Sequence, residues 1–206
     1  MLGGYPQISP VDLRGSFLFL AKLHRQHPSP TTNHALPFPR GVDCGAGIGR
    51  VTAGLLSRVC EVVDVVEPVE KFAREVPGKE MVGAGAVGDV YVVGLEEWRP
   101  ETGRYGLVWV QWCLGHLTDE QLVEYLERCK EAVTKGGWIV VKENLSTDKD
   151  GEDIFDEVDS SVTRTDGKFR ELFARAGMRV VETELQRGFP RVLYPVRFYA
   201  LRPEKA

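Results

Sequence analysis

The 206-residue sequence is poor in cysteine, and its four, Cys44, Cys60, Cys113 and Cys129, form no Cys-x-x-Cys pair and stand near no histidine at zinc-ligand spacing. Neither a disulfide framework nor a metal site is expected, and free thiols in a reducing compartment are. The sequence also lacks any apolar run near the ~18 residues that span a bilayer, and residues 1–6 lack the charged-then-apolar order of a secretory signal. A soluble intracellular protein follows as the expectation, cytoplasmic and also nuclear, with no membrane partner. Positive charge is in deficit: 26 Lys and Arg against 30 Asp and Glu leave −4, which disfavours broad contact with nucleic-acid phosphates. A cationic partner suits that balance better. With an ordinary apolar share, the length fits one domain, expected as a monomer.

Residues 13–24 carry apolar side chains at helical spacing, and prolines at 28, 30, 37 and 39 then interrupt the chain. Residues 1–39 thus read as a helical lead-in and proline-rich linker to a core over 40–206. In that core, β-type runs at 41–44, 62–66, 90–93, 107–110 and 138–141 alternate with helix-type stretches such as 50–58 and 119–133. Alternation of this kind implies an α/β fold with a parallel sheet covered by helices, its ligand lying beyond the carboxyl ends of the strands. A helical stretch at 168–176 precedes two last β-type runs, 178–185 and 192–201, expected to pair antiparallel. The glycine-rich run 83–88 reads as a mobile surface loop.

The chemistry concentrates where the first strand ends, in Asp43-Cys44-Gly45-Ala46-Gly47-Ile48-Gly49-Arg50. Glycines at 45, 47 and 49 allow a tight turn and close approach of backbone to a ligand, and the helix that follows offers free amide donors. A dinucleotide fingerprint needs its third glycine one place later, and Asp43 would repel a pyrophosphate, so the spacing leans toward S-adenosylmethionine. Asp43 would accept from the amino group of its methionyl part, and Arg50 would face its carboxylate. Glu67, 24 positions after Asp43 at the end of the second strand, is placed to accept from both ribose hydroxyls. Gly94-Leu95-Glu96, after the third strand, offers a backbone donor and an apolar face to the adenine. The bland alternatives are a tight strand–helix turn for the glycines with Glu67, and a solvated turn for residues 94–96.

The sequence resembles the α-N-terminal protein methyltransferases, which methylate the terminal amine of proteins beginning Xaa-Pro-Lys. The resemblance runs nearly the whole chain and rests on Leu2-Gly3-Gly4-Tyr5, the glycine block, Gln111-Trp112 with Gly115-His116-Leu117-Thr118-Asp119, and Asp156-Glu157-Val158-Asp159-Ser160-Ser161-Val162 with Arg164. The glycine block is common to many methyltransferases; the last two blocks are far more specific. The resemblance implies a Rossmann-like class I S-adenosylmethionine-dependent methyltransferase, its mostly parallel seven-stranded sheet closed by a C-terminal antiparallel hairpin. It implies that Gly45, Arg50, Glu67, Leu95, Glu96 and Gln111 hold the cofactor, and that Trp112, His116, Asn144, Asp156, Asp159, Ser161 and Tyr194 handle the peptide. This chain has Glu67 where the family usually has Asp, Glu96 where Gln is frequent, and Glu143 in place of Asp before Asn144; each keeps an acceptor. Relatives carry a segment upstream of Leu-Gly-Gly-Tyr that borders the peptide channel, so a start at Met1 implies a more open channel or a trimmed start.

The implied reaction makes physical sense. An α-ammonium has an unperturbed pKa of about 7.7–8.0, so modest desolvation frees the amine, whereas a lysine side chain at about 10.4 needs a much larger shift. Asp159 would grip the ammonium, with Asp159 or His116 taking the proton. Asp156 and Ser161 would receive a lysine at position three, and Asn144 a peptide carbonyl. Composition alone makes His116 a helix cap, Asp156 and Asp159 a solvated acidic loop and Trp112 a core ring; the resemblance makes them one acceptor site. The expected substrates are proteins with an Xaa-Pro-Lys terminus, ribosomal proteins among them. The rival readings are a small-molecule or lysine methyltransferase on the same fold, a nicotinamide-dependent oxidoreductase, and a cofactor-binding module without turnover.

Overall fold

The computed structural model describes residues 6–27 and 36–204. The Leu2-Gly3-Gly4-Tyr5 motif and the prolines at 28 and 30 lie outside the described residues. Seven strands form one sheet in the order β3-β2-β1-β4-β5-β9-β8: β1 Phe38–Cys44, β2 Cys60–Val66, β3 Ala86–Tyr91, β4 Tyr105–Gln111, β5 Val133–Asn144, β8 Met178–Leu185 and β9 Val196–Pro203. Pairs β1–β2, β1–β4, β2–β3 and β4–β5 are parallel, and β9 runs antiparallel to both β5 and β8. A two-stranded sheet of β6 Ile154–Asp156 and β7 Ser161–Thr163 stands apart. The chain reverses its direction of travel across the sheet between β1 and β4, where doubly wound sheets place their ligands.

Both faces of the sheet are covered. Along β4 every residue is buried, with Val108 and Val110 in one core and Leu107 and Trp109 in the other, as strand alternation requires. The first core is closed by α4 Asp119–Ala132 through Leu122, Tyr125 and Leu126, and by α5 Asp166–Arg175 through Phe169, Leu172 and Phe173. The second is closed by α1 Ser9–Gln26, whose Phe19, Leu20 and Leu23 are all but fully buried, each contributing about 1.5–3 kcal/mol by leaving water. Phe19 stacks on Phe198 of β9 at 4.6 Å between ring centroids.

Local chemistry sets the helix ends. Thr118 and Gln121 form a reciprocal capping box at the start of α4, with Gln121 N–H donating to Thr118 Oγ1 at 3.2 Å and Thr118 N–H to Gln121 Oε1 at 2.9 Å. Thr165 caps α5, and Gly177, at φ +67°, closes it. The helical stretch after the glycine turn is wound as a π-helix over Thr52–Leu56 before a short α2, Ser57–Val59. α3 is the short turn Glu70–Ala73.

Two sequence expectations fail here. The run 83–88 is no free surface loop: β3 begins at Ala86, and a Cβ at Gly83 or Gly85 would sit 2.1 Å from the Ser57 carbonyl oxygen or 2.2 Å from that of Cys60. These glycines let backbone pack on backbone. The last strand begins at Val196, leaving residues 192–195 in a connecting loop.

Candidate active site

At the end of β1 the chain turns through Gly45, φ +71°, whose N–H and that of Ala46 both donate to the Val66 carbonyl, at 2.9 and 3.2 Å. A Cβ on Gly45 would lie 2.6 Å from Cys113 Cβ, so glycine is required by a neighbour. Gly47, φ +56°, differs: among the described residues nothing stands within 4 Å of where its Cβ would be, which leaves open space above the turn. Glu67, buried at the end of β2, accepts from Gly47 N–H at 2.7 Å through one oxygen and from Val69 N–H at 2.9 Å through the other. Its carboxylate is thus held beside the open glycine cradle. The sulfur of Cys113 donates to the Cys44 carbonyl at 3.3 Å, and burial pushes the thiols of Cys44, Cys60, Cys113 and Cys129 above their ordinary range.

Asp43 is buried, accepts from Thr52 Oγ1 at 2.6 Å, and is pushed up to about 6 by desolvation, against the pull of that hydroxyl and of Arg50. Arg50 reaches back to the N-terminal helix, donating from Nη1 to Asp12 Oδ2 at 2.7 Å, and its guanidinium lies 5.5 Å from the centroid of the Trp112 ring. Gln111, at the end of β4, is buried and donates from Nε2 to both oxygens of Asp12 at 3.0 Å. After β3, Leu95 is buried and Glu96 exposed, and Arg128 of α4 donates to the backbone oxygens of both, at 2.9 and 3.1 Å. An open glycine cradle, an acid at the end of β2, a cation and an apolar side chain at the third strand together fit S-adenosylmethionine.

Beside this edge lies a cavity of about 380 Å³. Trp112, His116, Asn144, Asp159, Ser161 and Tyr194 all line it, so the structure gathers residues far apart in sequence. Trp112 adopts φ +56° with its N–H donated to the Lys142 carbonyl at 3.1 Å, and its ring stands 6.4 Å from that of Phe189. His116 and Asp159 are exposed. Asp156 does not line the cavity: its Oδ1 accepts from Val158 N–H at 2.8 Å, and it pairs across the β6–β7 ladder with Ser161. Tyr194 and Leu193 enter the cavity from the loop before β9.

Sequence alone assigns no role to several further contributors. Glu143 lines the cavity, is buried, and accepts from the N–H groups of Cys113 and Leu114 at 2.8 and 2.9 Å; desolvation pushes it up to about 7. It holds the turn that carries His116. Arg164, also buried, donates to the carbonyls of Leu114 at 2.9 Å and Leu117 at 2.6 Å and to Asp119 Oδ1 at 2.9 Å, tying the β6–β7 hairpin to the same turn. A Cβ on Gly115 would stand 3.1 Å from the Val162 carbonyl oxygen, so the two segments meet closely. Ile8 and Phe189 add apolar wall. The signals for Glu143 and Arg164 were present, an acid ending a buried strand and a basic residue in a specific motif, but their partners were not.

A doubly wound seven-stranded sheet with this glycine turn, and an acid at the end of β2, defines a class I S-adenosylmethionine-dependent methyltransferase, here with a cavity alongside. Residues 1–202 match the family described as AdoMet dependent proline di-methyltransferase, and the chain belongs to that family. It is 45% identical over 208 residues to "Alpha N-terminal protein methyltransferase 1" of Schizosaccharomyces pombe, covering 100% of this chain and 90% of the relative. It is 41% identical to "N-terminal Xaa-Pro-Lys N-methyltransferase 1" of Mus musculus, covering 98% and 87%. Among solved structures, a SAM-dependent methyltransferase of Leishmania major superposes with a TM-score of 0.85 at 34% identity, covering 98% of this chain and 75% of that one.

Proposed function

We propose that this enzyme transfers methyl groups from S-adenosylmethionine to the α-amine of proteins whose N-terminus reads Xaa-Pro-Lys. The single observation that carries the reading is the mixed lining of the cavity after β4, in which Asp159, His116, Ser161 and Asn144 are polar and Trp112, Phe189 and Leu193 apolar. An N-terminus of this kind offers both chemistries, an ammonium and a proline ring whose locked φ lowers the entropy lost on binding.

When bound, S-adenosylmethionine supplies an electrophilic methyl group. The cofactor would rest on Gly45 and Gly47, with Glu67 for the ribose, Leu95 and Glu96 for the adenine, and Asp43, Arg50 and Gln111 for the methionyl end. On the acceptor side, Asp159 holds the α-ammonium, and Asp159 or His116 takes its proton so that a lone pair is free. The Asn144 amide donates to a peptide carbonyl, Trp112 flanks the first residues and Tyr194 closes the entrance. Ser161 meets the lysine at position three, with Asp156 acting across the hairpin from outside the cavity. The excess of acids on a chain of net charge −4 favours cationic substrates, among which we include ribosomal proteins. The enzyme is proposed to act as a monomer in cytoplasm and nucleus.

The test is mass spectrometry of an Xaa-Pro-Lys peptide incubated with enzyme and cofactor, beside the same peptide acetylated at its N-terminus. Methylation of the free peptide at its α-nitrogen and none of the acetylated one is expected. Equal methylation of both, at the lysine, would overturn the assignment.

A further inference from the structure

Asp12 has no exposed surface and stands in the first turn of α1. Its carboxylate gathers donors from three other elements: Arg50 Nη1 at 2.7 Å, Gln111 Nε2 at 3.0 Å to each oxygen, and Lys142 Nζ of β5 to Oδ1. Lys142 is buried as well and also donates to Ser16 Oγ at 3.0 Å, the Asp12 carbonyl at 3.2 Å and Gln186 Oε1 at 2.9 Å, so its position is fixed by the fold. Burial lowers its pKa to about 8, opposed by Asp12. Buried ion pairs of this kind stabilise little compared with apolar packing, so stability alone is a weak reason to build one. The groups it holds are more telling.

We propose that Asp12 is a positioning residue for the cofactor: carried on α1, it aims Arg50 and Gln111 at the methionyl carboxylate of S-adenosylmethionine. The inference rests on the reading of Arg50 and Gln111 as cofactor residues. A guanidinium has five N–H donors, so one nitrogen can be held from behind while others face a ligand. The Gln111 amide is fixed at both ends, since its Oε1 accepts from Trp109 Nε1 at 3.1 Å while Nε2 donates to Asp12.

The experiment measures affinity for S-adenosylhomocysteine by titration calorimetry in four variants, together with the KM for peptide. Arg50→Ala tests the underlying reading and should weaken binding by about tenfold or more. Asp12→Asn should weaken it by about tenfold, with peptide KM changed less than about twofold. Asp64→Asn is the control: Asp64 is equally buried and held by Arg40, Arg104 and Tyr105, so its loss should lower stability and leave affinity at wild type. If Asp12→Asn does not fold, Asp12→Asn with Lys142→Met removes the cation left without its partner and should show the same weakening. Wild-type affinity in Arg50→Ala would remove the cofactor reading itself. Weak binding in Arg50→Ala with wild-type affinity in the Asp12 variants would overturn the role of Asp12 alone.

Discussion

At the cofactor edge Asp43, Glu67 and Gln111 are buried and hydrogen-bonded within the protein, whereas around the acceptor cavity Asp159, Asp156 and His116 stand exposed. The difference follows the two ligands of the proposed reaction. A cofactor of fixed shape rewards donors and acceptors already in place, since little ordering remains for the moment of binding. Many different proteins can present an N-terminus, and exposed carboxylates attract a cation from solution without demanding one geometry. The comparison predicts that changes at the edge act on cofactor affinity and changes at the cavity on acceptor chemistry.

Gly47→Val should have the largest effect, because a branched side chain enters the open space above the turn at a left-handed φ. We expect S-adenosylhomocysteine binding by calorimetry to fall by about a hundredfold or more. Wild-type affinity would show that the cofactor does not lie there. Asp159→Asn should lower kcat by about a hundredfold while leaving that affinity near wild type. Parallel loss of both would erase the division between edge and cavity.

Glu143 sharpens the comparison, being the one buried carboxylate named above that lines the cavity. Its pKa is raised from the ordinary 4.5 to about 7, so its contribution to stability is fully present below about 4.5 and is lost as pH rises through about 7. Glu143→Gln keeps an oxygen for Cys113 and Leu114 N–H and removes the titration. The variant should gain about 2–3 kcal/mol over wild type at pH 8 relative to pH 4.5, read from urea midpoints. An unchanged slope between these pH values would place the titration elsewhere. Asp156→Asn should be the mildest: exposed and outside the cavity, it should raise KM about threefold for a peptide with lysine at position three and leave a norleucine analogue unaffected. An equal rise for both peptides would count against a charge contact.

The strands were legible where buried apolar residues cluster: β4 is buried along its whole length with Leu107 to Val110 apolar, and β2 carries valines at 62, 63, 65 and 66 around Asp64. β3 was not, since its glycine stands where a Cβ would meet Asp64 Oδ1 at 2.3 Å and Val62 Cγ1 at 2.7 Å. A close approach between strands looks in sequence like a flexible loop. The glycine turn and the acid after β2 were visible because their spacing is local. Asp12 and Lys142 were invisible for the opposite reason. An acid in an amphipathic helix reads as solvent-facing, and its burial is decided by partners 38, 99 and 130 residues away.

The contact between Cys113 and the floor of the glycine turn bears on how the enzyme can be handled. Alkylating reagents attack thiolates, and desolvation disfavours the thiolate at all four cysteines, of which Cys44, Cys60 and Cys129 are also buried from reagent. Maleimide dyes should therefore find little native background beyond the partly exposed Cys113, and Val158→Cys, on the exposed tip of the β6–β7 hairpin, would carry a fluorophore next to Asp159 of the cavity lining. Arrival of a substrate protein could then be followed by its effect on that reporter's emission, without first stripping the enzyme of its own sulfur.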